Sequence, residues 1–453
     1  MIARTSELKQ LQKVYEEPKN EIVLLSGSNR SDKELLIKDF VADKKYFYYR
    51  GRNASVDEQL RQFNAQVAAE YGVKLQKNTY DEGFTRVKSG DSSKLVVVID
   101  EFQSIVKRDP SFFESVLKLK KKLLYPGPVM IILASSSIAW VREDMEECLG
   151  DSAEAIDLTI SLSEVGFLEI VRSFPGYSVA DCVTVYGILG GIPEYINRWD
   201  GKKSIRENIF NLILDPRGFL HDEAENYIGK ELRELSVYDT ILAAMARGNE
   251  KLNDLYVDTG YSRAKISVYL KNLATFDIIE KAVSFETGGW DNTVKGVYRI
   301  KLPFIDFWFR FIYPHYSELA MLKPEEFYDR YIAGELSAYL RRYFPAVCRE
   351  YLELMNRVGN VSINIRKMGT WIGKNGTIDI VGQDDELDYV VGICNWDEPR
   401  LAFDMYQELL ENMKLAKIHA RTTYLFSATT FDERLKELEK NESSVVLVDM
   451  TEL

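Results

Sequence analysis

The sequence predicts an α/β fold whose first domain is a parallel sheet with helices on both faces. Two continuous apolar runs, residues 95–100 (LVVVID) and 129–134 (VMIILA), lack polar alternation, as strands buried on both faces require. Strand and helix patterns alternate over residues 1–170, the rhythm of βαβ units. At 453 residues the chain exceeds the ~250–300 residues that a single core usually supports, so several domains are expected.

The N-terminal stretch MIARTSELKQLQ opens an amphipathic helix rather than a secretory segment. Residues 21–26 (EIVLLS) form a short apolar strand, and residues 34–40 (ELLIKDF) begin an amphipathic helix. Between them lies Ser-Gly-Ser-Asn-Arg-Ser-Asp-Lys-Glu, residues 26–34. This is the phosphate-binding pattern G-x-x-x-x-G-K-[ST] with two positions changed. Gly27 and Lys33 keep the spacing; Asp32 replaces the second glycine and Glu34 the hydroxyl residue.

Such a loop works because backbone N–H groups and a helix N-terminus converge on phosphate oxygens. Lys33 would reach the phosphates, and Glu34 stands where a hydroxyl would ligate Mg²⁺. Asp32 puts a Cβ where glycine permits positive φ, and a carboxylate near the phosphates. Arg30 would offset part of that repulsion. A single charge pair at ~4 Å is worth ~4 kcal/mol at an effective dielectric near 20, against ~8 kcal/mol for a whole micromolar affinity.

Further along come an aromatic strand at residues 46–50 (YFYYR), a helix at 57–71, the strand at 95–100, a Lys-rich helix at 111–124 stopped by Tyr-Pro-Gly-Pro, the strand at 129–134, and an edge strand within 155–162. The strand at 95–100 ends in Asp100-Glu101. An Asp there is the expected Mg²⁺ partner, and the adjacent Glu can polarise an attacking water. Ser135, Ser136 and Ser137 follow the next strand; they either sense the terminal phosphate or simply end the strand.

Composition narrows the functional classes. The net charge of −12 gives no general support for a nucleic-acid partner. No run approaches the ~20 apolar residues of a membrane helix, so a cytoplasmic location is expected. The four cysteines have no metal-ligand or C-x-x-C spacing, and the three histidines lie far apart, which disfavours a zinc site or a His-based triad.

After residue 163 the pattern becomes helical, with a sharp turn at Gly190-Gly191 and Pro193. Three helices at 238–246, 251–257 and 262–273, then strands at 278–285 and 294–300 across a loop at 286–293, give the layout of a winged helix-turn-helix. Residues 229–301 hold 11 Lys/Arg and 10 Asp/Glu, which favours a packing module over a DNA reader. The aromatic run at 304–311 (FIDFWFRF) is expected to dock this module. The remainder reads as a mixed α/β domain: helical over 325–355, strands at 361–368, 377–382, 389–396, 422–427 and 444–449, and helices at 400–417 and 432–440.

These residues resemble, nearly end to end, the archaeal-type AAA+/STAND-like ATPases. The resemblance is carried by Arg4 and Glu7, the loop from Gly27 to Glu34, Asp100-Glu101, Ser135-Ser136, and the run GGIPEY at 190–195. It continues through Tyr298-Arg299-Ile300, FWFRF at 307–311, Trp371-Ile372-Gly373 and IDIVG at 378–382. It implies a P-loop ATPase core over 1–170, a helical lid over 171–229, a winged helix over 230–315 and a restriction-endonuclease-like PD-(D/E)xK domain over 316–453. It also implies ATP binding, with hydrolysis as the family expectation; on that reading Asp100 holds Mg²⁺, Glu101 orients the attacking water, and Arg4 and Glu7 line the entrance.

The nuclease pattern is degraded. Asp379 supplies one acid, but Ile393 and Asn395 stand where Glu and Lys would be. Glu350 and Glu353, on the preceding helix, are the available substitutes. One aspartate cannot hold a hydrolytic metal. The expectation is an ATP-binding regulator with weak or absent hydrolysis, an inactive nuclease-like domain and an unidentified protein partner. The alternatives are a nucleotide-free scaffold and a DNA-binding defence factor.

Overall fold

The computed structural model describes residues 4–28, 30–88, 93–285, 296–374 and 376–450. The chain divides into two compact units, residues 1–164 with 192–194, and residues 165–191 with 195–453.

In the first unit, α1 (Thr5–Glu16) precedes β1 (Glu21–Gly27), α2 (Lys33–Val41), β2 (Tyr46–Arg50), β3 (Leu95–Asp100), β4 (Val129–Ser135) and β5 (Leu158–Leu162). The five strands are all parallel, in the order β2-β3-β4-β1-β5. Strand alternation sorts the apolar runs into two cores. Ile22, Leu24, Val97, Ile99, Ile131 and Leu133 pack with Phe47, Phe63, Phe84 and Phe112 on one side. Val23, Leu25, Val96, Val98, Ile132 and Ala134 pack with Leu36, Ile37 and Phe40 of α2 on the other. β1, β3 and β4 are buried along their whole length, as the unbroken apolar runs require.

Local chemistry moved some boundaries. The Lys-rich helix ends at Lys120 rather than residue 124, because Lys122 adopts φ 61° and the Leu123 amide turns back to the Lys118 carbonyl. A helix at Tyr80–Arg86, capped by the Thr79 side chain, is too short to announce itself by periodicity.

In the second unit, helices Leu235–Ala246, Leu252–Thr259 and Arg263–Thr275 are followed by an antiparallel pair, β6 (Ile279–Ala282) and β7 (Val297–Ile300). The loop expected at 286–293, and the start of the second strand, lie outside the described residues. The aromatic run forms the helix Pro303–Phe307 and one wider turn, Trp308–Ile312, with Phe304, Phe307, Trp308, Phe309 and Phe311 all buried.

The last sheet comprises β8 (Lys367–Ile372), β9 (Thr377–Gln383), β10 (Tyr389–Asn395), then, beyond a two-residue β11 (Arg400–Leu401), β12 (Ala420–Ser427) and, beyond β13 (Thr430–Phe431), β14 (Val445–Asp449). Its order is β14-β12-β10-β9-β8, with β9 antiparallel to both neighbours. The strand expected at 361–368 begins only at Lys367. Both backbone groups of Ile365 bond to the Asn356 side-chain amide at 2.9 Å, which withholds them from any ladder. Likewise the helix expected from residue 400 starts at Phe403, because β11 pairs with β13.

Candidate functional site

β1 runs directly into the altered loop. Only hydrogen fits at Gly27: a Cβ there would lie 2.6 Å from the Ser31 hydroxyl and 2.8 Å from Leu162 Cβ. Ser31 closes the loop by donating its amide and hydroxyl to the Ser28 carbonyl, at 3.1 and 2.7 Å. Asn29 lies outside the described residues. Asp32 leads into α2 with φ 58° and ψ 29°, the left-handed conformation that glycine takes without steric cost. Asp32→Gly is therefore expected to stabilise the fold by up to about 1 kcal/mol, relief of backbone strain exceeding the entropy added to the unfolded chain. A shift of the urea midpoint checks this.

Lys33 is 6% exposed. Its amine donates to the Gly27 and Ser28 carbonyls at 2.7 and 2.8 Å. Burial pulls its pKa down to about 8, against the opposing pull of Glu101, Asp100 and Glu34. Arg4 braces the loop instead of lining an entrance: it is buried, and its Nη2 donates to the Ser31 and Ser163 carbonyls at 3.2 and 2.7 Å. Its Nη1 pairs with Glu7 at 3.2 Å. Arg30 pairs with Glu194 at 3.0 Å.

The acidic side is set by strand register. β2 and β3 pair so that Arg50 stands opposite Asp100, and Tyr48, two residues earlier, shares its face. The Tyr48 hydroxyl donates to Asp100 Oδ2 at 2.7 Å. The Arg50 guanidinium lies 2.5 Å from Glu34 Oε1, 3.5 Å from Asp100 Oδ2 and 3.9 Å from Glu101 Oε1. Gly51 lets the backbone pass close to Glu101 here, since a Cβ would sit 2.7 Å from the Glu101 carbonyl oxygen. Asp100 is fully buried, and burial pushes its carboxyl above the usual range, while the bond from Tyr48 pulls the other way. The burial of Tyr48, and then the Asp100 charge, push that phenol upward.

Glu101 has φ 52°, and its Oε2 accepts from the Ser136 hydroxyl at 2.6 Å and from the Gln103 amide. Ser136 thus joins the site, whereas buried Ser135 accepts from the Ser137 amide at 3.3 Å and ends the strand.

Five charged side chains therefore converge: Lys33 and Arg50 against Glu34, Asp100 and Glu101. Arg50 balances the acid gained at position 34. Sequence reasoning missed it because the strand order was needed to place residue 50 opposite residue 100. A divalent cation fits these donors poorly as they stand. Asp100 and Glu34, the oxygen donors beside Lys33, are both engaged by the same guanidinium.

The residues singled out in the last domain do not converge into a metal centre. Asp379, on β9, accepts from the Cys394 amide at 2.9 Å, and burial raises its carboxyl. Asn395 is buried and donates to the Ser427 and Thr429 hydroxyls at 3.0 Å, organising a turn. Glu350 accepts from the Phe167 and Leu168 amides at 2.6 and 3.0 Å. It thereby caps the helix Phe167–Ser173. Gly166 leaves room for it, since a Cβ there would lie 2.5 Å from Glu350 Oε1. Glu353 faces Arg357 at 3.9 Å. Among the described residues no group of three or more His, Cys, Asp or Glu side chains is placed to hold a metal ion, and no helix is long and apolar enough to cross a membrane.

Residues 1–198 match a family described as an ATPase domain predominantly from Archaea. Residues 308–418 match a second, described as archaeal and bacterial proteins of unknown function. An uncharacterised protein of Methanocaldococcus jannaschii is 24% identical over 385 residues, covering 85% of this chain and 84% of the relative. Among solved structures, a Walker-type ATPase of Pyrococcus abyssi is 16% identical with a TM-score of 0.47, covering 68% of this chain and 96% of that one. The ORC2 protein of Aeropyrum pernix is 12% identical with a TM-score of 0.44, covering 71% and 95%.

Proposed function

We propose that this chain, whose residues 1–198 match an ATPase domain found predominantly in Archaea, binds ATP at residues 27–34 and turns it over slowly or not at all. The observation that carries this reading is the convergence of Lys33, Arg50, Asp100 and Glu101 at the mouth of α2. A triphosphate would take the Lys33 amine from the Gly27 and Ser28 carbonyls. Slow turnover is supported by Glu101, whose carboxylate would have to leave Ser136 and Gln103 before it could orient a water.

The three helices and the β6–β7 pair are read as a near-neutral winged helix used for packing rather than for DNA. The last sheet is read as a non-catalytic nuclease-like domain, because Asp379 and Glu350 are both spent on backbone amides. The whole would act as a nucleotide-controlled regulator of a protein partner.

A second reading, a scaffold that binds no nucleotide, is favoured by one observation: Lys33, Arg30 and Glu34 each already have a partner within the protein. Thermal denaturation with and without ATP separates the two. Under the first reading ATP raises the midpoint; under the scaffold reading it does not.

The pH dependence has a defined sign. Lys33 is charged below about pH 8 and neutral above it, and phosphate favours the charged amine. Affinity is expected to be full below pH 8 and to fall as pH rises through it, by up to about tenfold per pH unit. Titrations between neutral and alkaline pH check this.

A further inference from the structure

We propose that Arg50 serves as the resident cation of this site, so that a nucleoside triphosphate binds here without a divalent metal ion. The inference deepens the nucleotide-binding reading and rests on it.

Three observations carry the assignment. The first is position. In an unaltered loop the metal would draw on the residue after the lysine and on the acid ending the neighbouring strand. In this chain those residues are Glu34 and Asp100, and the guanidinium bridges them at 2.5 and 3.5 Å. The second is charge. Glu34 adds a negative charge where the pattern has a neutral hydroxyl, and Arg50 cancels it. A divalent ion placed beside Arg50 would meet a like charge at close range.

The third is chemistry and access. Guanidinium keeps its charge at every physiological pH and carries five N–H donors in a planar fork. It can hold two carboxylates and still offer donors to a phosphate oxygen. The Arg50 side chain is 49% exposed, so part of the fork faces solvent. Its backbone is fixed by the register with β3 and by the close approach of Gly51 to Glu101. Lys33, in contrast, is buried and must leave two loop carbonyls before it meets a phosphate.

The test is ATP binding to the full chain, by calorimetric titration, in Mg²⁺ and in excess EDTA, for wild type, Arg50→Ala and Arg50→Lys. Wild-type affinity is expected to differ by less than about threefold between the two buffers, about 0.6 kcal/mol. Arg50→Ala is expected to lose at least about tenfold in EDTA and to regain part of that in Mg²⁺. Arg50→Lys keeps the charge without the fork and is expected to fall between them in EDTA. Arg50 is half-exposed, and Tyr48 still donates to Asp100 in both variants, so the fold is expected to hold, which melting curves without ATP check.

Wild-type binding that collapses in EDTA would overturn the inference while leaving nucleotide binding in place. An Arg50→Ala variant that binds as tightly as wild type in EDTA would also overturn it. Absence of ATP binding in every protein and buffer overturns both this inference and the reading beneath it.

Discussion

Lys33→Ala should abolish ATP-dependent stabilisation while leaving the ligand-free fold within about 1 kcal/mol of wild type. Each half follows from the geometry. A charged amine about 4 Å from a phosphate oxygen contributes about 4 kcal/mol at an effective dielectric near 20, so its loss should weaken binding roughly a thousandfold. The ligand-free protein gains little from that amine. Its pKa falls from 10.5 to about 8, a cost of roughly 3 kcal/mol for keeping it charged when buried. The two bonds to loop carbonyls offset part of this cost. The sign of the linkage follows. Below pH 8 both folded and unfolded chains hold the proton and folding bears the full penalty. Between pH 8 and 10.5 the folded chain alone sheds it, so this group makes the fold more stable as pH rises. Urea titrations of wild type and variant at neutral pH and near pH 9.5 should converge on this pattern.

Asp306→Ala should destabilise the second unit by about 3–5 kcal/mol, with Asp306→Asn intermediate. Asp306 is 1% exposed, and its Oδ2 accepts from Arg342 at 2.9 Å and from the Tyr343 hydroxyl at 2.6 Å. Tyr343 in turn lies 3.2 Å from the Tyr339 hydroxyl, which reaches the Gly187 and Pro303 carbonyls at 3.0 and 2.9 Å. This network, with the carboxylate at its end, ties together residues 187, 303–306 and 339–343. Alanine leaves a guanidinium and a buried phenol without their acceptor, and leaves a cavity. The loss should appear as a lower urea midpoint, and a midpoint unchanged within error would show that the network contributes nothing net.

The sheet of the first unit was legible because burial on both faces leaves unbroken apolar runs, and Leu95–Asp100 is strand from its first residue to its last. The backbone of Asp32 was legible too, since the pattern it breaks has glycine there and the φ of 58° is what that glycine would have supplied. The electrostatic half of the site was not. In the sequence only Arg30 stands against Asp32 and Glu34, and the cation answering Glu34 comes from another strand. No spacing rule links residue 50 to residue 34; the pairing of β2 with β3 sets Arg50 opposite Asp100, and from there its side chain reaches Glu34. Elements fixed by a single polar side chain were also hidden. Asn356 removes Ile365 from a strand that its neighbours favour, and Glu350 looked like a spare metal ligand because its partners lie far away in sequence.

That last contact has a consequence for how the chain is made. The helix at Phe167–Ser173 receives its cap from a residue 183 positions later. At about 5–20 residues per second of translation, its first amides wait roughly 10–40 seconds after synthesis for the carboxylate that will satisfy them. Any fragment ending before Glu350 keeps that gap permanently, with Gly166 leaving a vacant notch beside it. The second unit therefore cannot be shortened from its C-terminal side without cost to a helix laid down near its beginning.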